Sequence, residues 1–428
     1  MVRAGASARP GSRRRRAPAR EPAASLPFFR SSAGPARAGA RGQLPVASAP
    51  HPRAPIARCC GLSSIRHENV KKGSDAMPKL SRRLLSAFAA SLCMTFAHAA
   101  DLSHWPADGA KALNAMIAAH ANRGDYAVFD ADNTTYRYDL EESLLPYLEN
   151  RGVLTRDALD PSLKLIPFKD SADYKESLTS YYYRLCEIDD LVCYPWIAQA
   201  FAGQSLADLK RHVDAMLADG KPIPIRYWQG DKVVDGTVNP PRFFRGMQEL
   251  YNALRENGIE VYVMTAAHEE LARLVLADPK YGYNVKPQNV IGVTTLLRNP
   301  ATGALTTSRL QIKAGKYDEA ANRALVITPF LMNPMTWYEG KLGSIVGWID
   351  QWKKPVLVAG DTPTSDGYML LNATDVARGG VRVWVNKKDK QMVQIRAWSD
   401  ESAAKQKSLG LPVTADKNWI VVKPDAIQ

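Results

Sequence analysis

Apolar residues along this chain fall into two patterns. Unbroken runs rich in β-branched and aromatic side chains occur at 126–130, 259–264, 289–294 and 355–359, and again at 381–385 and 419–422. Each run predicts a buried strand. Between them, apolar positions recur at helical spacing over 105–122, 242–256 and 268–277, which predicts amphipathic helices. Strands alternating with helices predict an α/β fold, a Rossmann-like parallel sheet covered on both faces. The interval 140–240 interrupts the alternation. Helical signals at 142–150, 174–188 and 206–218 mark it as an inserted helical cap, dividing the core into 100–139 and 241–428.

The N-terminal region follows neither pattern. Residues 1–76 hold 15 Lys and Arg against 3 Asp and Glu, crowded with Ala, Pro, Gly and Ser, a composition that cannot bury a core. After Met77 come Lys79, Arg82 and Arg83, an apolar run over 84–96 and the small-residue site Ala97-His98-Ala99, the layout of a secretory signal peptide over 77–99. The run is too short for a spanning helix, so no stable membrane anchor is expected. We read 1–76 as a disordered upstream extension from a start placed too early, with Met77 the true start, since a basic arm ahead of a signal peptide would obstruct recognition by the export machinery.

That division changes the meaning of the net charge of +13. From residue 100 onward the chain carries 38 Lys and Arg against 40 Asp and Glu, which removes the electrostatic case for a nucleic-acid partner. Cysteine usage changes too, because only Cys186 and Cys193 remain. In an oxidising compartment they are a candidate disulfide. The alternative is two thiols on one continuous helix, where seven residues span roughly 10 Å and forbid the bond.

Four polar clusters stand at the ends of predicted strands or the starts of predicted helices. The first is Asp130-Ala131-Asp132-Asn133-Thr134, two carboxylates just beyond a buried strand, where open α/β sheets bind ligands. The second is Thr265, a hydroxyl at a predicted helix start and so a phosphate-binding or capping position. Lys341 precedes a helical stretch at 342–348 and supplies a cation. Asp361 and Asp366 follow the run at 355–359.

Taken in this order, the clusters resemble the four motifs of the haloacid dehalogenase superfamily of phosphotransferases. The words around Asp132 to Ser143 and Ser162 to Asp170 are similar to the secreted bacterial phosphorylcholine phosphatases within it. The resemblance implies a periplasmic or secreted phosphomonoesterase acting on a small phosphomonoester. It implies Asp130 as nucleophile, Asp132 as acid and base, and Mg2+ on Asp130, the Asp132 carbonyl and Asp361. Thr134, Thr265 and Lys341 would bind phosphate, with Asp366 orienting Lys341.

For a quaternary ammonium headgroup, which aromatic faces and carboxylates bind, the insertion offers Glu141, Glu142, Tyr182, Glu187 and Trp196. Their bland readings are first-turn acids complementing a helix dipole and aromatic core packing. Two rival functions stay open at this point: a phosphatase of broad specificity, and a non-catalytic protein that captures choline or phosphate.

Overall fold

Alternate residues of one central strand feed two separate cores. The computed structural model describes residues 100–428; the expected extension at 1–76 and signal peptide at 77–99 lie outside the described residues. Tyr126–Phe129 is buried at every position, as a strand covered on both faces must be. Ala127 and Phe129 pack with Val261, Leu357 and Tyr251, whereas Tyr126 and Val128 pack with Met264, Val358 and Trp384. The period of two along a strand sends neighbours to opposite faces.

Six parallel strands lie in the order Trp419–Val422, Val381–Val385, Leu357–Gly360, Tyr126–Phe129, Glu260–His268 and Val290–Arg298. Two antiparallel strands, Leu305–Thr306 and Val326–Met332, pair with Val290–Arg298. Along the chain, successive strands are added first on one side of Tyr126–Phe129 and then, from Leu357–Gly360, on the other. The order therefore reverses between these two neighbours, and a crevice opens at their C-terminal ends. Asp130 and Asp361 are the next residues of the two strands, and the Asp130 N–H donates to the Ala359 carbonyl at 3.0 Å.

Helices close both faces. Arg245–Glu256 buries Met247, Leu250, Tyr251 and Leu254, the spacing of one helical face, and the Tyr251 ring lies 4.3 Å from Phe129. Truncating Phe129 to alanine would remove that contact and cost about 3–5 kcal/mol. On the other face, Pro363–Asn372 buries Met369 and Leu370.

The insertion contains Leu140–Glu149, Leu178–Ile188, Asp190–Gln199 and Leu206–Asp219. It is not wholly helical, however. Ile223–Gln229 and Lys232–Val238 form an antiparallel hairpin closed by Gly230 and Asp231, with Gly230 at φ +60°, a conformation that glycine adopts without strain. Ile223 and Ile225 bury one side of it, and Trp228 is buried on the other.

Two local expectations need correction. The strand read at 259–264 runs on to His268 through an irregularity after Met264. Thr265 therefore does not start a helix; His268 caps Glu269–Leu276 instead. Lys341 lies inside the short helix Glu339–Ser344 rather than ahead of one. The two cysteines do not share one continuous helix, because Asp189, in an extended conformation, caps both Leu178–Ile188 and Asp190–Gln199. That break brings Cys186 and Cys193 to a Cα separation of 5.0 Å, and they form a disulfide.

Candidate active site

The crevice at the strand-order reversal gathers the acidic residues of both strand ends. Asp130, Asp361 and Asp366 are buried, with carboxylate oxygens within 4.8 Å of one another. The Thr134 hydroxyl lies 3.0 Å from Asp130 Oδ2 and 2.9 Å from Asp361 Oδ1, so one group bridges the ends of two strands. Lys341 Nζ, fully buried, donates to Asp130 Oδ1 at 2.5 Å and Asp366 Oδ1 at 2.7 Å. Asp366 Oδ2 accepts from the backbone N–H groups of Asp361 and Thr362, both at 2.9 Å. This close seat needs Gly360, because a Cβ there would meet the Asp366 Cβ at 2.5 Å.

These carboxylates outnumber their cations. Burial and the neighbouring Asp366 push the Asp130 carboxyl up to about 8, against the opposing pull of Lys341. Burial, followed by Asp139, holds the Asp132 carboxyl well above the usual range. Burial lowers the Lys341 ammonium, and Asp130 and Asp366 more than reverse that. A compact set of hard oxygen donors short of positive charge fits a hard divalent cation such as Mg2+.

A cavity of about 110 Å³ opens beside the cluster. Its lining includes Asp130, Asp132, Thr265, Asp361 and Asp366, together with Glu141, Tyr182 and Tyr194 of the insertion. The Asp132 carboxylate accepts from the Leu140 N–H at 2.8 Å, tying it to the first turn of the insertion. Thr265 Oγ1 accepts from the Ala267 N–H at 3.1 Å, which leaves the hydroxyl proton available to a ligand. Glu141 accepts from the His268 N–H at 2.9 Å, and burial holds its carboxyl well above the usual range.

Not every expected residue reaches this cavity. Thr134 is fully buried and braces two carboxylates rather than facing a phosphate. Glu142 accepts from the Tyr183 hydroxyl at 2.7 Å and, with Glu187, lines a different groove beside the hairpin. Trp196 is a core residue, fully buried, with its indole N–H on the Leu163 carbonyl at 2.8 Å. It stacks behind Tyr182 at 6.3 Å.

Two charged lining residues escaped the sequence reading. Asp139 caps Leu140–Glu149, and burial and Glu142 push its carboxyl up to about 6. Lys387 follows the strand Val381–Val385 and pairs with Asp361 Oδ2. The only signal for either was position, one ahead of a helix and the other just past a strand.

Comparison with known proteins bears directly on this site. No protein-family model matches the chain. The phosphorylcholine phosphatase of Pseudomonas aeruginosa is 62% identical over 348 residues, which are 81% of this chain and 99% of that protein. Among solved structures, a conserved protein of unknown function from Anaerococcus prevotii is 17% identical with a TM-score of 0.47, covering 70% of this chain and 90% of its own. A HAD family hydrolase from Salmonella enterica serovar Typhi is 10% identical with a TM-score of 0.34, covering 63% of this chain and 67% of its own. With nearly the whole curated relative matched at that identity, the chain belongs to the phosphorylcholine phosphatase family and is a phosphoric monoester hydrolase.

Proposed function

We propose that this protein is an exported, magnesium-dependent phosphomonoesterase that hydrolyses phosphorylcholine through an aspartyl-phosphate on Asp130. One observation carries the reading: Asp130 and Asp361 end adjacent strands at the order reversal, braced by a shared Thr134 hydroxyl and by Lys341. A phosphate monoester is anionic and repels nucleophiles, so the site must hold an attacking oxygen in line and offset charge. Mg2+ held by Asp130, Asp361 and the Asp132 carbonyl, beside Asp366, would supply that offset.

In the first step an Asp130 carboxylate oxygen bonds to phosphorus as the bond to the choline oxygen breaks. Asp132, whose burial raises its carboxyl well above the usual range, gives its proton to the leaving oxygen. Asp132 then takes a proton from water, and the water oxygen bonds to phosphorus. Inorganic phosphate leaves and the Asp130 carboxylate is regenerated. Thr265 is the hydroxyl donor to the phosphoryl group, while Lys341 and Asp366 hold the nucleophile in place. Tyr182 and Tyr194, with Glu141 and Asp139, form the end of the cavity suited to a trimethylammonium group.

Family membership sets aside the non-catalytic capture reading. The remaining alternative, broad specificity, is separated by one experiment. Phosphate release from phosphorylcholine and from p-nitrophenyl phosphate is measured with and without magnesium, in wild type and Asp130→Asn. A specificity constant favouring phosphorylcholine, with both activities lost without magnesium or Asp130, supports the proposal. Equal constants for the two substrates would replace it with the broad reading. No described helix is long and apolar enough to cross a membrane, and the periplasmic or secreted location rests on the signal-like segment at 77–99.

A further inference from the structure

Six acidic residues line the cavity: Asp130, Asp132, Asp139, Glu141, Asp361 and Asp366. A phosphomonoester would add negative charge of its own. Lys341 answers this need poorly as a ligand group. It is fully buried, and two of its three ammonium hydrogens are committed to Asp130 and Asp366, at 2.5 and 2.7 Å.

Among the described residues that line the cavity, the one cation is Lys387. It lies two residues past Val381–Val385, a strand that pairs with Leu357–Gly360 through Gly360 and Trp384. Its ammonium is thereby delivered to the same sheet end as Asp361. The Lys387 backbone N–H folds back onto the Val385 carbonyl at 2.9 Å, fixing the base of the side chain. The ammonium pairs with Asp361 Oδ2, yet the side chain remains 22% exposed. An ammonium has three donors, so one can hold Asp361 while the others face the cavity.

We propose that Lys387 is the phosphate-binding side-chain cation of the cavity, donating to a non-bridging oxygen of the phosphoryl group while it holds Asp361. The inference rests on the phosphomonoesterase reading and extends it. In division of labour, Lys341 positions the nucleophile from behind and Lys387 contacts the substrate from the cavity.

The test uses the whole protein at saturating magnesium, as wild type, Lys387→Met, Lys387→Gln and Lys387→Arg. Two quantities are read for each: the competitive inhibition constant of inorganic phosphate against p-nitrophenyl phosphate, and the rise in Tm on adding inorganic phosphate. Lys387→Met and Lys387→Gln are expected to raise the inhibition constant roughly 30-fold or more and to abolish the phosphate-induced rise in Tm. Lys387→Arg, which keeps the charge, is expected to recover most of both. The Gln variant retains a donor toward Asp361, so a loss shared with Met reports the charge rather than the brace. If Lys387 only braced Asp361, the variants would alter the magnesium requirement and leave the phosphate constant unchanged at saturation; that result overturns the proposal. A wild type that neither hydrolyses p-nitrophenyl phosphate nor responds to inorganic phosphate would sink the phosphomonoesterase reading itself. A fully active wild type beside variants of unchanged phosphate affinity sinks only the role of Lys387.

Discussion

One buried aspartate stands at each end of the central strand, and the two have opposite surroundings. Asp125, just before Tyr126, is contacted by His120 at 2.8 Å, Lys353 at 2.8 Å and Arg378 at 2.9 Å. Burial pushes its carboxyl up, and Lys353, Arg378 and His120 outweigh that and bring it down to about 2. Asp130, just after Phe129, shares Lys341 with Asp366 and is pushed up to about 8, by burial first and then by Asp366. The same residue type on the same strand thus ties down the fold at one end and, at the other, stands among more carboxylates than one shared lysine balances. Crowding of that kind is what a functional site accepts and a structural one avoids.

The sharpest way to break this comparison is to neutralise each aspartate in turn. Asp130→Asn is expected to lower turnover by at least about 10⁴-fold without lowering Tm in the absence of magnesium, because it relieves repulsion inside the cluster. Phosphate release and thermal denaturation of the same sample check both halves, and a large loss of Tm would contradict the contrast.

Asp125→Asn should do the reverse. A carboxyl brought from 3.8 to about 2 contributes about 2 kcal/mol of stability, which urea unfolding should register while kcat of the folded enzyme stays unchanged. The sign fixes the pH window. The folded value lies below the unfolded one, so this stabilisation is fully present above about pH 4 and is lost as pH falls toward 2. The stability gap between wild type and Asp125→Asn should therefore narrow over that interval. A gap that stayed constant down to pH 2 would assign the role to shape rather than charge.

Smaller effects sharpen the boundary of the cavity. Tyr182→Ala is expected to raise KM for phosphorylcholine roughly tenfold while leaving that for p-nitrophenyl phosphate little changed. Glu187→Ala should alter neither by more than about twofold, as expected of a surface substitution, since Glu187 lines a separate groove. An equal effect from both would mean that the headgroup lies outside the cavity assigned to it.

What could be read from the sequence followed from what each segment had to bury. Val381–Val385 and Trp419–Val422 fall where their apolar runs predict, and the parallel core follows from the alternation of runs with helices. Asp130 and Asp361 were legible because four polar clusters followed one another in order at strand ends and helix starts, although each alone could have been a turn former or a cap. Lys387 was not, since Lys387, Lys388 and Lys390 crowd one polar turn and nothing local shows which of them faces inward. The hairpin at 223–238 was hidden by Pro224 and Gly236, both poor strand formers. Trp196 and Tyr194 sit two positions apart on one helix, about 200° around its axis, so both cannot face one cavity. Packing gives the cavity to Tyr194 and the core to Trp196.

The most direct measurement of the central claim is rapid acid quenching of the enzyme during turnover of phosphorylcholine carrying a radioactive phosphoryl group, followed by peptide mapping. The account expects a phosphoryl label on the peptide containing Asp130, labile to hydroxylamine and absent in Asp130→Asn. Wild-type turnover with no label on that peptide, together with an Asp130→Asn variant that still releases phosphate, would contradict it.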